Sequence, residues 1–141
     1  MRTIASLHGY LLGYALIGAW ATVCGWSLAL RLMRYEETPT FWRFVSLAQI
    51  LLGMQFLAGL VLVGWWLLGG GAAPGAKAGG GWFNGTFHVL YGVAFPLIVL
   101  LVGHRFARDG RYDPHSVFSV VGLVIFGLAS RAFAVGAGIG A

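Results

Sequence analysis

Charge is what this chain most lacks. Only 9% of its 141 residues are charged, where a soluble domain averages about 25%. The four acidic residues, Glu36, Glu37, Asp109 and Asp113, all fall in two short polar stretches. No carboxylate lies in an apolar run, which argues against a carboxylate proton relay or a carboxylate-bridged metal pair. Lysine occurs once, as Lys77 in a glycine-rich stretch, so no apolar segment offers an amine for a retinal-type Schiff base. Cysteine also occurs once, as Cys24. A single thiol excludes an internal disulfide and a cysteine-built zinc or iron–sulfur centre. There is no HExxH motif and no Ser-His-Asp set. The tract "GGGAAPGAKAGGG" follows no strand and is not continued by Lys-Ser/Thr in phosphate-loop register, so it reads as a flexible linker.

What remains is apolar. The hydrophobic share is 59%, mean hydropathy is +0.83, and six Trp, ten Phe and 23 Gly complete the profile. This composition predicts an all-α integral membrane protein. The net charge of +5 does not point to nucleic acid, because the basic residues sit in short loops between apolar segments. Four such segments stand out, at about 4–30, 44–68, 82–102 and 117–139, with a loop at 69–81. Each is near the ~20 residues a bilayer demands, and a backbone in lipid must be helical there. Short connections predict a single four-transmembrane-helix up-down bundle spanning 1–141.

Arginine sets the expected orientation. Loop 31–43 holds Arg31, Arg34 and Arg43, and loop 105–115 holds Arg105, Arg108 and Arg111, against Arg2 and Lys77 on the other side. Both arginine loops are therefore expected in the cytoplasm of a bacterial inner membrane, with both termini outside. Small residues predict close helix contacts at Gly9 and Gly13, Gly18 with Thr22, Gly85 and Gly92, and Gly122, Gly127 and Ala134. Pro96 predicts a kink in the third helix. The tryptophans, Trp20, Trp26, Trp42, Trp65, Trp66 and Trp82, read as an aromatic belt near the segment ends.

Ionisable residues inside a membrane are costly and mark functional sites by default. Here they are His8, His88 and Arg131. At ~1.5 Å per residue, each falls roughly 6–12 Å below the same outer surface. Two histidines from different helices at one depth suit axial ligation of a b-type haem, because neutral imidazole binds iron and the bundle supplies an apolar slot. Gly92, four residues after His88, shares its face and leaves room for a flat macrocycle. Tyr91 could edge that pocket. Arg131 has no acidic partner at its depth and suits a haem propionate, a lipid phosphate, a quinone carbonyl or a carboxylate of another subunit. The bland alternatives are an interfacial His8, a His88 bonded to a neighbouring helix, and an Arg131 that snorkels to phosphate. His104 and His115, at the other end, could form a second haem site. Gln55, near mid-membrane beside Gln49 in the same segment, is expected to bond to a neighbouring helix or to contact a quinone.

The segments "LHGYLLGY", "FHVLYG" and "ASRAF" resemble a group of uncharacterised bacterial four-span membrane proteins over nearly the whole chain. His8 and His88 also give a distant likeness to small membrane cytochromes b, which implies histidine-held haem. The expected function is thus a small membrane cytochrome b or a haem-bearing electron-transfer subunit, not a bond-making enzyme. Its partners would be the lipid bilayer and other membrane subunits. The other readings are a cofactor-free accessory subunit of a respiratory or photosynthetic complex and a bacteriochlorophyll-binding subunit.

Overall fold

The computed structural model describes residues 2–34, 38–70 and 81–137, and every regular element among them is helical. Four helices are long and apolar enough to cross a membrane: α1 (Thr3–Met33), α2 (Pro39–Leu67), α3 (Phe83–Arg108) and α4 (Pro114–Ala137). The Glu36–Glu37 pair, most of the glycine-rich loop, the Trp82 side chain and the Ile139 end of the fourth segment lie outside the described residues.

At the arginine-bearing end the helices outrun their apolar stretches. They reach Met33, Pro39, Arg108 and Pro114, where hydropathy alone suggests about Leu30, Phe44, Val102 and Val117. Capping, not hydropathy, fixes these ends. Thr38 accepts from the Phe41 N–H at 3.4 Å, and Pro39 occupies the first turn, where no N–H is needed. Asp113 does the same for α4, accepting from the Ser116 N–H at 2.8 Å and the Ser116 hydroxyl at 3.0 Å. Arg34 closes α1 in a left-handed conformation (φ 54°), with its N–H on Arg31 and Leu30 carbonyls.

The core lies between α1 and α4. On α1, Gly13, Leu16, Trp20, Val23, Ser27 and Leu30 are buried. On α4, His115, Phe118, Gly122, Ile125, Ala129 and Ala132 are buried. Both sets alternate steps of three and four, the spacing of a coiled-coil seam. The helices run antiparallel. The Ser27 hydroxyl donates to the His115 carbonyl at 2.6 Å, and at the opposite end Gly13 faces Phe133. The two backbones come close at Gly122, where a Cβ would stand 2.8 Å from the Cys24 backbone nitrogen.

Two sequence expectations change here. Trp20 is not part of a belt: it is fully buried, filling the α1 seam, while Trp65 is 44% exposed. Of the small residues, Gly13, Gly92 and Gly122 do meet neighbouring helices, but Gly9, Gly18 and Gly127 face open space. Thr22 merely returns its hydroxyl to the Gly18 carbonyl at 2.9 Å. Composition alone cannot separate these two kinds of glycine.

α1 packs against both α2 and α4, and α3 leans on α4, but α2 and α3 stay largely apart. The bundle therefore has one open seam. It holds a cleft of about 110 Å³ lined by Leu52, Gly53 and Phe56 of α2 and Gly92 and Leu97 of α3, with Gln49 at one end. Two helices also change pitch. Leu7–Leu12 of α1 and Leu90–Ala94 of α3 are wound as π-helix. The second π segment ends just before Pro96, which lacks an N–H for the carbonyl four residues back. The predicted disturbance at Pro96 thus takes the form of a widened turn.

Candidate histidine site

His8 lies inside the π segment of α1, and His88 lies just before the π segment of α3. Both side chains are half-buried. Their imidazoles meet inside the bundle, ring centroids 5.9 Å apart and planes at 70°. Neither helix would be an immediate neighbour of the other in a ring of four. They come together at the level where both helices widen into π turns. Such widened turns are frequent at functional sites.

Each ring is held by the helices on either side. His88 donates Nδ1–H to the Ala132 carbonyl of α4 at 2.9 Å. That bond fixes the tautomer and leaves Nε2 with a free lone pair. A carbonyl behind the distal nitrogen is the usual way a protein orients an imidazole ligand. Glycine makes room on the same side: a Cβ at Gly136 would be 3.0 Å from His88 Cε1. His8 has a matching arrangement on α2. A Cβ at Gly59 would lie 3.2 Å from His8 Cε1. The Gln55 amide donates to the His8 carbonyl at 3.0 Å. Two buried atoms of this pair, His8 Nδ1 and Gln55 Oε1, have no hydrogen-bond partner.

Arg131 is not drawn into this pair. It neighbours Ala132 in sequence, but its side chain is exposed. It shares an outward stripe of α4 with Val120, Leu123, Val124 and Gly127, all exposed. Tyr91 belongs to an aromatic row along α3, with ring centroids 5.7 Å from Phe87 and 5.8 Å from Phe95. Gly92 lines the α2–α3 cleft and meets Ala132, where a Cβ would lie 3.7 Å from that methyl group. The glycines set against the imidazoles are instead Gly59 and Gly136, neither of which stands out in the sequence.

The donor set is small. Among the described residues, no group of three or more His, Cys, Asp or Glu side chains converges on one point. A free ion such as zinc takes three or four protein ligands.

No protein-family model, curated protein or solved structure matches this chain.

At the arginine end, the other two histidines are separately engaged. The Gln49 amide donates to His104 Nε2 at 2.7 Å, bridging the open seam between α2 and α3. His115 is 3% exposed, with both ring nitrogens unpartnered. Its ring lies 5.1 Å from Phe41 and 6.4 Å from Trp42, centroid to centroid, the latter stacked at 18°. An aromatic box holds His115, and an amide holds His104. Just beyond, Asp113 bears on the same end. Burial works to raise its carboxyl, but the Ser116 N–H and hydroxyl, then Arg31 and His115, outweigh this and hold it below the ordinary value. The Arg31–Asp113 approach is 3.8 Å and open to solvent.

Proposed function

We propose that this protein is a small membrane-embedded b-type cytochrome, or a haem-bearing subunit of an electron-transfer complex. His8 and His88 would hold the haem, near the outer face of a bacterial inner membrane. The approach of the two imidazoles carries this reading. They come from different helices and their ring centroids lie 5.9 Å apart inside the bundle, close enough for both to serve one iron.

Three further features fit. The His88 tautomer leaves Nε2 free. The buried, unpaired His8 Nδ1 belongs to a ring not yet committed to a protein partner. Gly59 and Gly136, which bear no side chain, let the two rings pack closely against α2 and α4. When bound, the haem would supply one-electron redox chemistry. The chain's own part would be to hold the two nitrogens, fix their tautomers and surround the group with apolar side chains. Arg131, on the exposed stripe, would answer to lipid phosphate or to an acidic group on another subunit, not to a propionate inside the bundle. A bacteriochlorophyll needs only one imidazole, and the pairing of two at this distance favours haem.

The deciding measurement is a reduced-minus-oxidised absorption spectrum of the detergent-purified protein, loaded with haem. The wild type is expected to give a b-type α-band. His8→Ala and His88→Ala are expected to lose it while keeping their helical circular dichroism. A flat wild-type spectrum would leave the accessory-subunit reading in its place.

A further inference from the structure

We infer that Gln55 is the positioning residue for His8, clamping it through both amide atoms and thereby setting the redox potential of the group that His8 holds. This inference rests on the haem reading above. The two histidines need the same thing: a fixed acceptor behind Nδ1, so that Nε2 faces the metal. His88 obtains it from a backbone carbonyl of α4. No corresponding bond to His8 Nδ1 is present, yet that atom is buried. A buried N–H without a partner is costly, as is a buried carbonyl oxygen.

The missing acceptor is beside it. Gln55 already reaches His8 through its amide nitrogen, at 3.0 Å from the His8 carbonyl. The other half of the same amide, Oε1, is also buried and unpaired. A donor and an acceptor are thus orphaned on two residues already bonded to each other. A bond between them, reached by a turn of the imidazole about its own χ2, would satisfy both. The Gln55 amide then spans His8 from backbone carbonyl to ring N–H, fixing ring orientation and tautomer at once. Gly59, one helical turn further along α2, is the surface the ring packs against, and a Cβ there would lie 3.2 Å from His8 Cε1.

The chemistry gives the direction of each effect. An acceptor on Nδ1–H makes the imidazole a stronger donor to iron and stabilises the oxidised state. Removing it should raise the midpoint potential. Replacing the amide by a carboxylate should lower it.

The test is redox titration of haem-loaded wild type, Gln55→Leu, Gln55→Glu and Gln55→Asn in detergent, with haem affinity measured in parallel. The Gln55→Leu protein should keep its α-band, titrate at a higher potential and bind haem roughly 10–100-fold more weakly, as loss of an outer-shell partner does. The Gln55→Glu protein should titrate below wild type. Opposite shifts from two variants that both disturb packing would not arise from a merely structural role. Gln55→Asn, too short to reach the ring, should resemble Gln55→Leu. A wild type that binds haem, with all variants titrating at its potential, overturns this inference and leaves the haem reading standing. A wild type that binds no haem overturns both.

Discussion

A residue's depth in an apolar helix can be counted from the sequence, but the direction it faces cannot. His8 and His88 were placed in one layer by counting from segment ends, and they do meet. Arg131 was placed in the same layer by the same count, and it turns outward. Counting works because rise per residue is constant. It is silent on rotation, because every face of these helices is apolar. Gly59 and Gly136 had no legible signal for a related reason. The chain holds 23 glycines, and only a neighbour's position shows which ones a ring leans on. Among the described residues outside the helices, Asp113 is a titrating group that can be followed by pH. Its folded carboxyl is held below the ordinary value. Its contribution to stability is therefore complete above the unfolded carboxyl's pKa of about 3.9, and is lost as pH falls through the lower folded value. Asparagine caps helices about as well as aspartate, so Asp113→Asn isolates the charge. It should melt below wild type at pH 7, and the gap should close as the pH is taken down toward 3. A gap that stays constant with pH would assign the effect to the cap alone.

At the scale of the helix, the apolar segments were legible and their ends were not. Hydropathy marks where lipid-compatible side chains stop. Helices stop where their backbone groups find caps, here Thr38 and Asp113. The two π turns were not legible either, although Pro96 pointed toward one of them. The α1–α4 seam could be recognised only in hindsight. Its alternating steps of three and four are hidden among apolar neighbours such as Leu28 and Leu123, which are 46% and 59% exposed. Gly122 is a tight point of the seam. A methyl group there would press on the Cys24 backbone, which cannot swing aside as a side chain can. Gly122→Ala should therefore destabilise the protein by about 1–3 kcal/mol, the usual cost of overpacking. Gly127→Ala, whose Cβ meets nothing within 4 Å, serves as the control. Thermal melts of the two variants in the same detergent should separate clearly, and equal melting temperatures would remove the close contact.

At the scale of the molecule, the four-helix character was evident from composition, while the packing order was not. Chain order suggests a closed ring, but α2 and α3 lean away from each other across the cleft. A loop as long and as glycine-rich as the one joining them places no demand that they touch. The proposed orientation rests on arginine alone, and it can be checked directly. After Cys24→Ser, a membrane-impermeant maleimide applied to intact spheroplasts should label Leu68→Cys, at the 86%-exposed end of α2. It should spare Asp109→Cys until the membrane is opened. The reverse pattern would invert the topology and put the histidine pair on the cytoplasmic side.

A π turn is geometrically one residue inserted into an α-helix and absorbed by a wider turn, so the stretches on either side keep nearly the facing they would have in a regular helix one residue shorter. In α1 the insertion falls within Leu7–Leu12. A chain lacking only Gly9, where a Cβ would meet nothing within 4 Å, should therefore close into a regular α-helix with little change on either side. The wide turn would then be dispensable to the α1–α4 seam, and the contact of His8 with His88 would persist without it.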